Sequence, residues 1–151
     1  MIYSVQSFLG RPLMWKGEQK DVLSAIYFSP ETGKLTGGMG KKKDFFPFSE
    51  LLFSRDGIAL HTCTRTAAHG VSLLGYVVRT THGENIGTVT DIEFDADMGV
   101  IKRILVTKSV FGVPFSQRIF PFERILHIRE KTILVDDDVT EKETQRELCP
   151  A

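Results

Sequence analysis

The sequence predicts an all-β chain, two tandem small β-barrels of about six strands each, followed by a short C-terminal helix or tail. Three observations predict it. Short apolar runs rich in Val, Ile and Phe alternate with turn-forming residues about every eight to twelve positions, as in small sandwiches and barrels. No segment before residue 138 sustains a helical period. One ordered set of phrases is also written twice, about 65 residues apart, which marks a duplicated unit.

The repeat sets the boundaries. "FLGRPL" at 8–13 matches "LLGYVV" at 73–78, so that Gly10 answers Gly75, and "GE" at 17–18 answers "GE" at 83–84. Gly33 answers Gly99 within "FSPETG" and "FDADMG", and "FPFSELL" at 46–52 answers "FPFERIL" at 120–126. The offset grows from 66 at the glycine turn to 74 at "FPF", so the second copy has gained eight residues between them. The expected units are a degenerate first repeat at 1–68, a second repeat at 69–138 and a tail at 139–151, with the join near "RTAAHGVS" at 65–72.

Each element has a local reason. In "SAIYFS", Ile26 and Phe28 fall on one face of a strand and Ala25 and Tyr27 on the other, a two-sided apolar pattern. "SPETGK" and "DADMGV" read as hairpin connections, in which Gly33 and Gly99 take a positive φ and Ser29 or Asp95 bonds the turning backbone. "IEFD" alternates apolar and acidic side chains, while "VIKRILVTK" carries apolar residues on both faces and is expected to be covered on both. Asp91, an acid inside an apolar strand, is expected to bond backbone groups at a bulge. Pro47 and Pro121 cannot donate to a ladder and belong at a strand end or edge. "SELL" or "ERIL" then turns the chain into a closing hairpin, "SRDGIALHT" or "REKTILVDD". The tail has capping-box spacing at Thr140 and Glu143 and reads as a short surface helix or a frayed end.

Composition excludes several functional classes. Of 151 residues, 19 are basic and 19 acidic, so no global field steers the chain toward nucleic acid or an anionic membrane. No apolar run approaches the roughly 20 residues of a membrane span, the start lacks the pattern of a secretory signal, and the cytoplasm is the expected location. Cys63 and Cys149 have no metal-type spacing and are expected to be reduced thiols. No nucleophile, base and orienting group are framed together, no cofactor motif is present, and an enzyme is not expected.

"LLGYVVRTTHGENIGTVTDIEFDADMGVIKRILV" followed by "IFPFERILHIREKTILVDD" resembles a PRC-barrel domain, the small barrel of the photosynthetic reaction-centre H subunit and of the ribosome maturation factor RimM. The residues that carry the resemblance are Gly75, Gly83, Glu84, Ile86, Gly87, Val89, Asp91, the Asp95–Gly99 turn and the closing "PFERI", over about 72–137. The first copy has Lys20 and Asp21 where the second has the Ile-Gly pair. The resemblance implies about six strands per copy and non-enzymatic roles in docking or assembly, and it brings no site residues with it.

Two stretches are candidate binding surfaces. "SVFGVPFSQR" at 109–118 lies in the region of added length, and Phe111, Val113 and Phe115 either plug a barrel or form an exposed apolar patch for a protein partner. Packing within or between the barrels is the preferred reading of those three side chains. Lys41, Lys42 and Lys43 with Phe45 could grip RNA or a ribosome, although lysines also protect edge strands from pairing. A ligand or pigment between the barrels is a third possibility, and homo-oligomers are compatible with all three. His61, His69, His82 and His127 lack ligand spacing, although "HTC" would place His61 and Cys63 on one strand face, and "DIEFDAD" lacks a calcium-loop pattern.

Overall fold

The computed structural model describes residues 1–136; the expected tail, with Thr140, Glu143 and Cys149, lies outside the described residues. The first seven strands are β1 (Ile2–Ser4), β2 (Pro12–Trp15), β3 (Glu18–Phe28), β4 (Leu35–Gly40), β5 (Phe45–Pro47), β6 (Leu51–Ser54) and β7 (Gly57–Leu60). There follow β8 (Val77–Thr80), β9 (Asn85–Asp95), β10 (Val100–Val110), β11 (Val113–Pro121), β12 (Ile125–Arg129) and β13 (Thr132–Val135). The described fold is all-β, in two sheets.

The sheets share one topology. The strand order is β5-β4-β3-β2-β7-β6 in one and β11-β10-β9-β8-β13-β12 in the other, with β1 added against β9. Within each, one neighbouring pair is parallel, β2 with β7 and β8 with β13, and every other neighbour whose register is resolved is antiparallel. The backbone repeats as closely: Gly10 and Gly75 have φ of 85° and 88°, Gly17 and Gly83 of 78° and 82°, Gly33 and Gly99 of 72° and 68°. At Gly33 and Gly99 a side chain would be strained, which is why the turn phrase ends in glycine in both copies. Asp95 completes its turn by accepting from the N–H groups of Asp97 and Met98 at 2.9 and 3.1 Å.

Closed barrels were expected, and the ladders are open instead. The outer strands β5 and β11 both end on a proline, Pro47 and Pro121, which has no N–H to offer a closing partner. A 3-10 turn follows each, Phe48–Glu50 and Phe122–Arg124, and leads into the final hairpin.

By contacts the chain divides into two compact units, Met1–Ser72 with Phe94–Val100, and Leu73–Glu93 with the chain from Ile101. In unit 1, Leu23, Ile26 and Phe28 of β3 are buried, and the break in alternation after Leu23 coincides with a register shift against β4. In β9, Val89, Ile92 and Phe94 are buried with the same break, and Asp91 stands in it, its Oδ1 accepting from the N–H of Ile92 at 2.7 Å. The unit 1 core centres on aromatic rings: Phe53 lies 5.0 Å from Phe8 and 5.2 Å from Phe94 between centroids, and Phe94 lies 6.3 Å from Phe28.

β10 carries buried residues on both faces, Ile104 and Val106 on one and Ile101 and Thr107 on the other, while Lys102, Arg103 and Lys108 stay exposed. Two expectations need correction. Lys41–Lys43 form the turn between β4 and β5 rather than an edge strand, with Lys43 in the left-handed region at φ 68°. His61 and Cys63 do not share a strand face, since β7 ends at Leu60 and Cys63 has φ 61°. The segment at 65–72 is also held onto unit 1, where Val71 exchanges 2.8 Å backbone bonds with Phe28, and Thr66 donates to the Phe45 carbonyl at 3.0 Å.

No helix among the described residues is long and apolar enough to cross a membrane.

Candidate protein interface

The eight added residues lengthen one hairpin. β10 and β11 have eleven and nine residues where β4 and β5 have six and three. Val110 pairs with Val113, leaving a two-residue loop of Phe111 and Gly112 at φ 52° and 78°. Positive φ at both loop positions matches the twist of the flanking strands, and Asn-Gly satisfies that demand most easily. Here the first position is a phenylalanine.

The preferred expectation of packing is overturned at this tip: Phe111 is fully exposed, Val113 is 64 % exposed and Phe115 73 % exposed. The hairpin has outgrown the sheet that would bury them, since Phe120 is the buried residue of β11 and pairs beside Ile104. The register slips between Lys108, opposite Ser116, and Ser109, opposite Pro114, so Phe115 has no residue facing it. A bulge re-aims its side chain, and with Pro114 beside it this edge is a poor template for strand addition. The tip therefore offers side chains rather than a ladder. Toward the hairpin base, Leu105 pairs with Ile119 next to a recess of about 110 Å³. Arg103 Nε donates to Glu93 at 2.9 Å on the rim of that recess.

Of the second candidate group, Lys41, Lys42 and Lys43 are exposed, but Phe45 is only 2 % exposed. Its ring lies 5.5 Å from Tyr27 and 5.2 Å from His69, so it is not open to stack on a base, and the pairing of Phe45 with the lysines is corrected. All four histidines are exposed, and among the described residues no group of three or more His, Cys, Asp or Glu is placed to hold a metal ion. Cys63 is a free thiol.

Sequence reasoning missed Glu50, which is buried at 5 % exposure. Its carboxylate accepts from the N–H groups of Thr62 and Thr64, each at 3.0 Å, and from the Thr62 hydroxyl. Burial favours the protonated form, but these bonds and one from the Cys63 N–H outweigh it and hold the carboxyl below its ordinary range. At the same place in the second repeat stands Arg124, 3.8 Å from Asp136. The charge reversal hid the equivalence. The bonds to Glu50 are stronger to its ionised form, so that extra stabilisation is complete above its unfolded pKa and is lost as pH falls through the lower folded value. In Glu50→Gln the amide oxygen can still face the Thr62 and Thr64 N–H groups, but the charge is lost and an NH2 replaces the oxygen that accepts from the Thr62 hydroxyl, so a cost of about 1 kcal/mol is expected at pH 7. Denaturant melts should show that gap closing as the pH is lowered through about 4 and below; a constant gap would contradict it.

These features define a small all-β module whose β10–β11 hairpin carries exposed aromatic side chains. The PRC-barrel domain family matches residues 66–142, about half of the chain, and the chain belongs to that family. No curated protein matches it.

Proposed function

We propose that the chain is a non-enzymatic adaptor that docks a protein partner through the β10–β11 hairpin. Membership of a family of binding modules supports this class of role. The observation that carries the reading is Phe111. It is a bulky residue in the left-handed region, which costs roughly 1–2 kcal/mol, and its ring is exposed to solvent. Strain that the fold does not need is a mark of function, and aromatic anchors seated in a partner's recess dominate the energy of protein interfaces. The reading of residues 1–65, which precede the family match, as a first copy of the same unit rests on the shared strand order and the paired glycines.

The test separates function from stability. Phe111→Asn suits the turn better and is expected to raise stability by about 0.5–1 kcal/mol. The same change, combined with Phe115→Ser, is expected to abolish capture of a partner that the natural chain retains from host lysate at high salt after nuclease treatment. Unchanged capture by the double variant would overturn the reading, as would a loss of stability in Phe111→Asn.

A further inference from the structure

A second surface lies in unit 1. Its parts come from two turns that the fold ties together. The Lys42 ammonium donates to the Lys20 carbonyl at 3.0 Å, the Lys41 N–H donates to the Val22 carbonyl at 2.9 Å, and the Lys42 N–H donates to the Asp21 carboxylate at 3.3 Å. The β4–β5 turn is thereby clamped onto β3, beside the β2–β3 turn, by an acid that is 5 % exposed. A side chain at Gly40 would collide with that carboxylate, its Cβ falling 2.0 Å from Oδ2. Asp21 and Gly40 are fitted to one another.

The clamp collects positive charge around Trp15, the only tryptophan in the chain. Lys16 and Lys20 place their ammonium groups 4.7 and 5.3 Å from the indole centroid. Arg65 adjoins the β4–β5 turn through Asp44 at 3.7 Å. The acids nearby are engaged: Glu18 with Lys20 at 3.0 Å, Asp44 with Arg65, and Asp21 with the backbone. Lys41 and Lys43 are exposed and form no ion pair among the described residues. On a chain of zero net charge this is a local excess of cations, not a reflection of composition.

We infer that this end of unit 1 binds single-stranded nucleic acid, with Lys16, Lys41 and Lys43 on successive phosphates and a base against the half-buried Trp15 ring. Lysines that track a backbone beside an aromatic face are the parts such binding needs, and only an unpaired base can stack. A lipid surface is disfavoured, because it also needs apolar side chains to insert. The exposed large apolar residues of unit 1 are Met1, Ile2, Leu52 and Met98, none of them in these two turns. Phe45 was the aromatic partner expected from sequence; Trp15, distant in sequence from the lysine run, takes its place.

Titration of the whole chain with fluorescein-labelled 20-mers of oligouridine and oligothymidine reads the inference twice, by anisotropy and by Trp15 emission. Quenching of that emission and saturable binding are expected, with affinity falling as salt rises at a log–log slope of about −2 for three phosphates. Lys41→Glu with Lys43→Glu should weaken binding at least tenfold at low salt, and Lys41→Gln with Lys43→Gln by a smaller factor. Lys102→Glu with Lys131→Glu, the same charge change in unit 2, should weaken it less than twofold. The inference is overturned by absence of saturable binding at the lowest salt or by equal loss in the unit 2 control. Tighter binding to phosphatidylglycerol vesicles than to either oligonucleotide would overturn it as well.

Discussion

Phe94→Ala is expected to remove about 3–5 kcal/mol of stability and to lower the melting temperature by about 10 °C. The side chain has no exposed surface, and its ring meets four others, Tyr3, Phe8, Phe28 and Phe53, at centroid distances of 5.2 to 6.4 Å. Truncation loses its transfer energy, opens a cavity among rings too rigid to collapse into it, and deletes edge-on contacts worth about 0.5–1.5 kcal/mol each. Phe94→Leu, which keeps most of the volume, should recover more than half of the loss. Calorimetry of both variants decides it: a melting point within 3 °C of the natural chain for the alanine form would show that Phe94 does not organise this core.

Gly87→Ala is expected to be nearly as damaging, at about 2–5 kcal/mol, for a backbone reason. Gly87 has φ 133°, and a Cβ there would stand 2.5 Å from the Thr107 carbonyl oxygen and 3.0 Å from the Lys108 nitrogen. Neither neighbour is a side chain that can swing aside, so β9 and β10 must part, and the left-handed backbone adds strain of its own. Gly17→Ala is the control. Its φ is 78°, but nothing lies within 4 Å of the new atom, so only about 1 kcal/mol is expected. Urea melts giving equal losses for the two would remove the close approach as the explanation.

Gly87 also shows where reading the sequence stopped. The substitution of Asp21 for its glycine in the first copy is visible in the string, but its meaning is not. Only the fold puts Asp21 over Gly40 and Gly87 over Thr107, so that the glycine permitting close approach sits on the third strand of one sheet and the second of the other. Glu50 and Arg124 escaped for the same reason: opposite charges at matched positions conceal a shared role, closing the last hairpin, that backbone bonds to His61 and Asp136 reveal. The aromatic hairpin was legible as a candidate because its extra length interrupts the repeat. Its exposure was not, since Phe111, Val113 and Phe115 satisfy a buried strand and a bare tip equally well.

The sequence by itself determined that the chain is all-β, that one pattern of turns and strands is used twice, and that its second half is of the PRC-barrel family. Those properties reside in alternation, in turn chemistry and in the order of glycines and prolines, all local or periodic along the chain. The tertiary structure alone decided that the ladders stay open, that Phe45 is buried while Trp15 meets Lys16 and Lys20, and that Phe111 and Phe115 reach solvent. Each depends on which distant segment covers a given face, and a pattern that specifies an apolar face does not specify its cover.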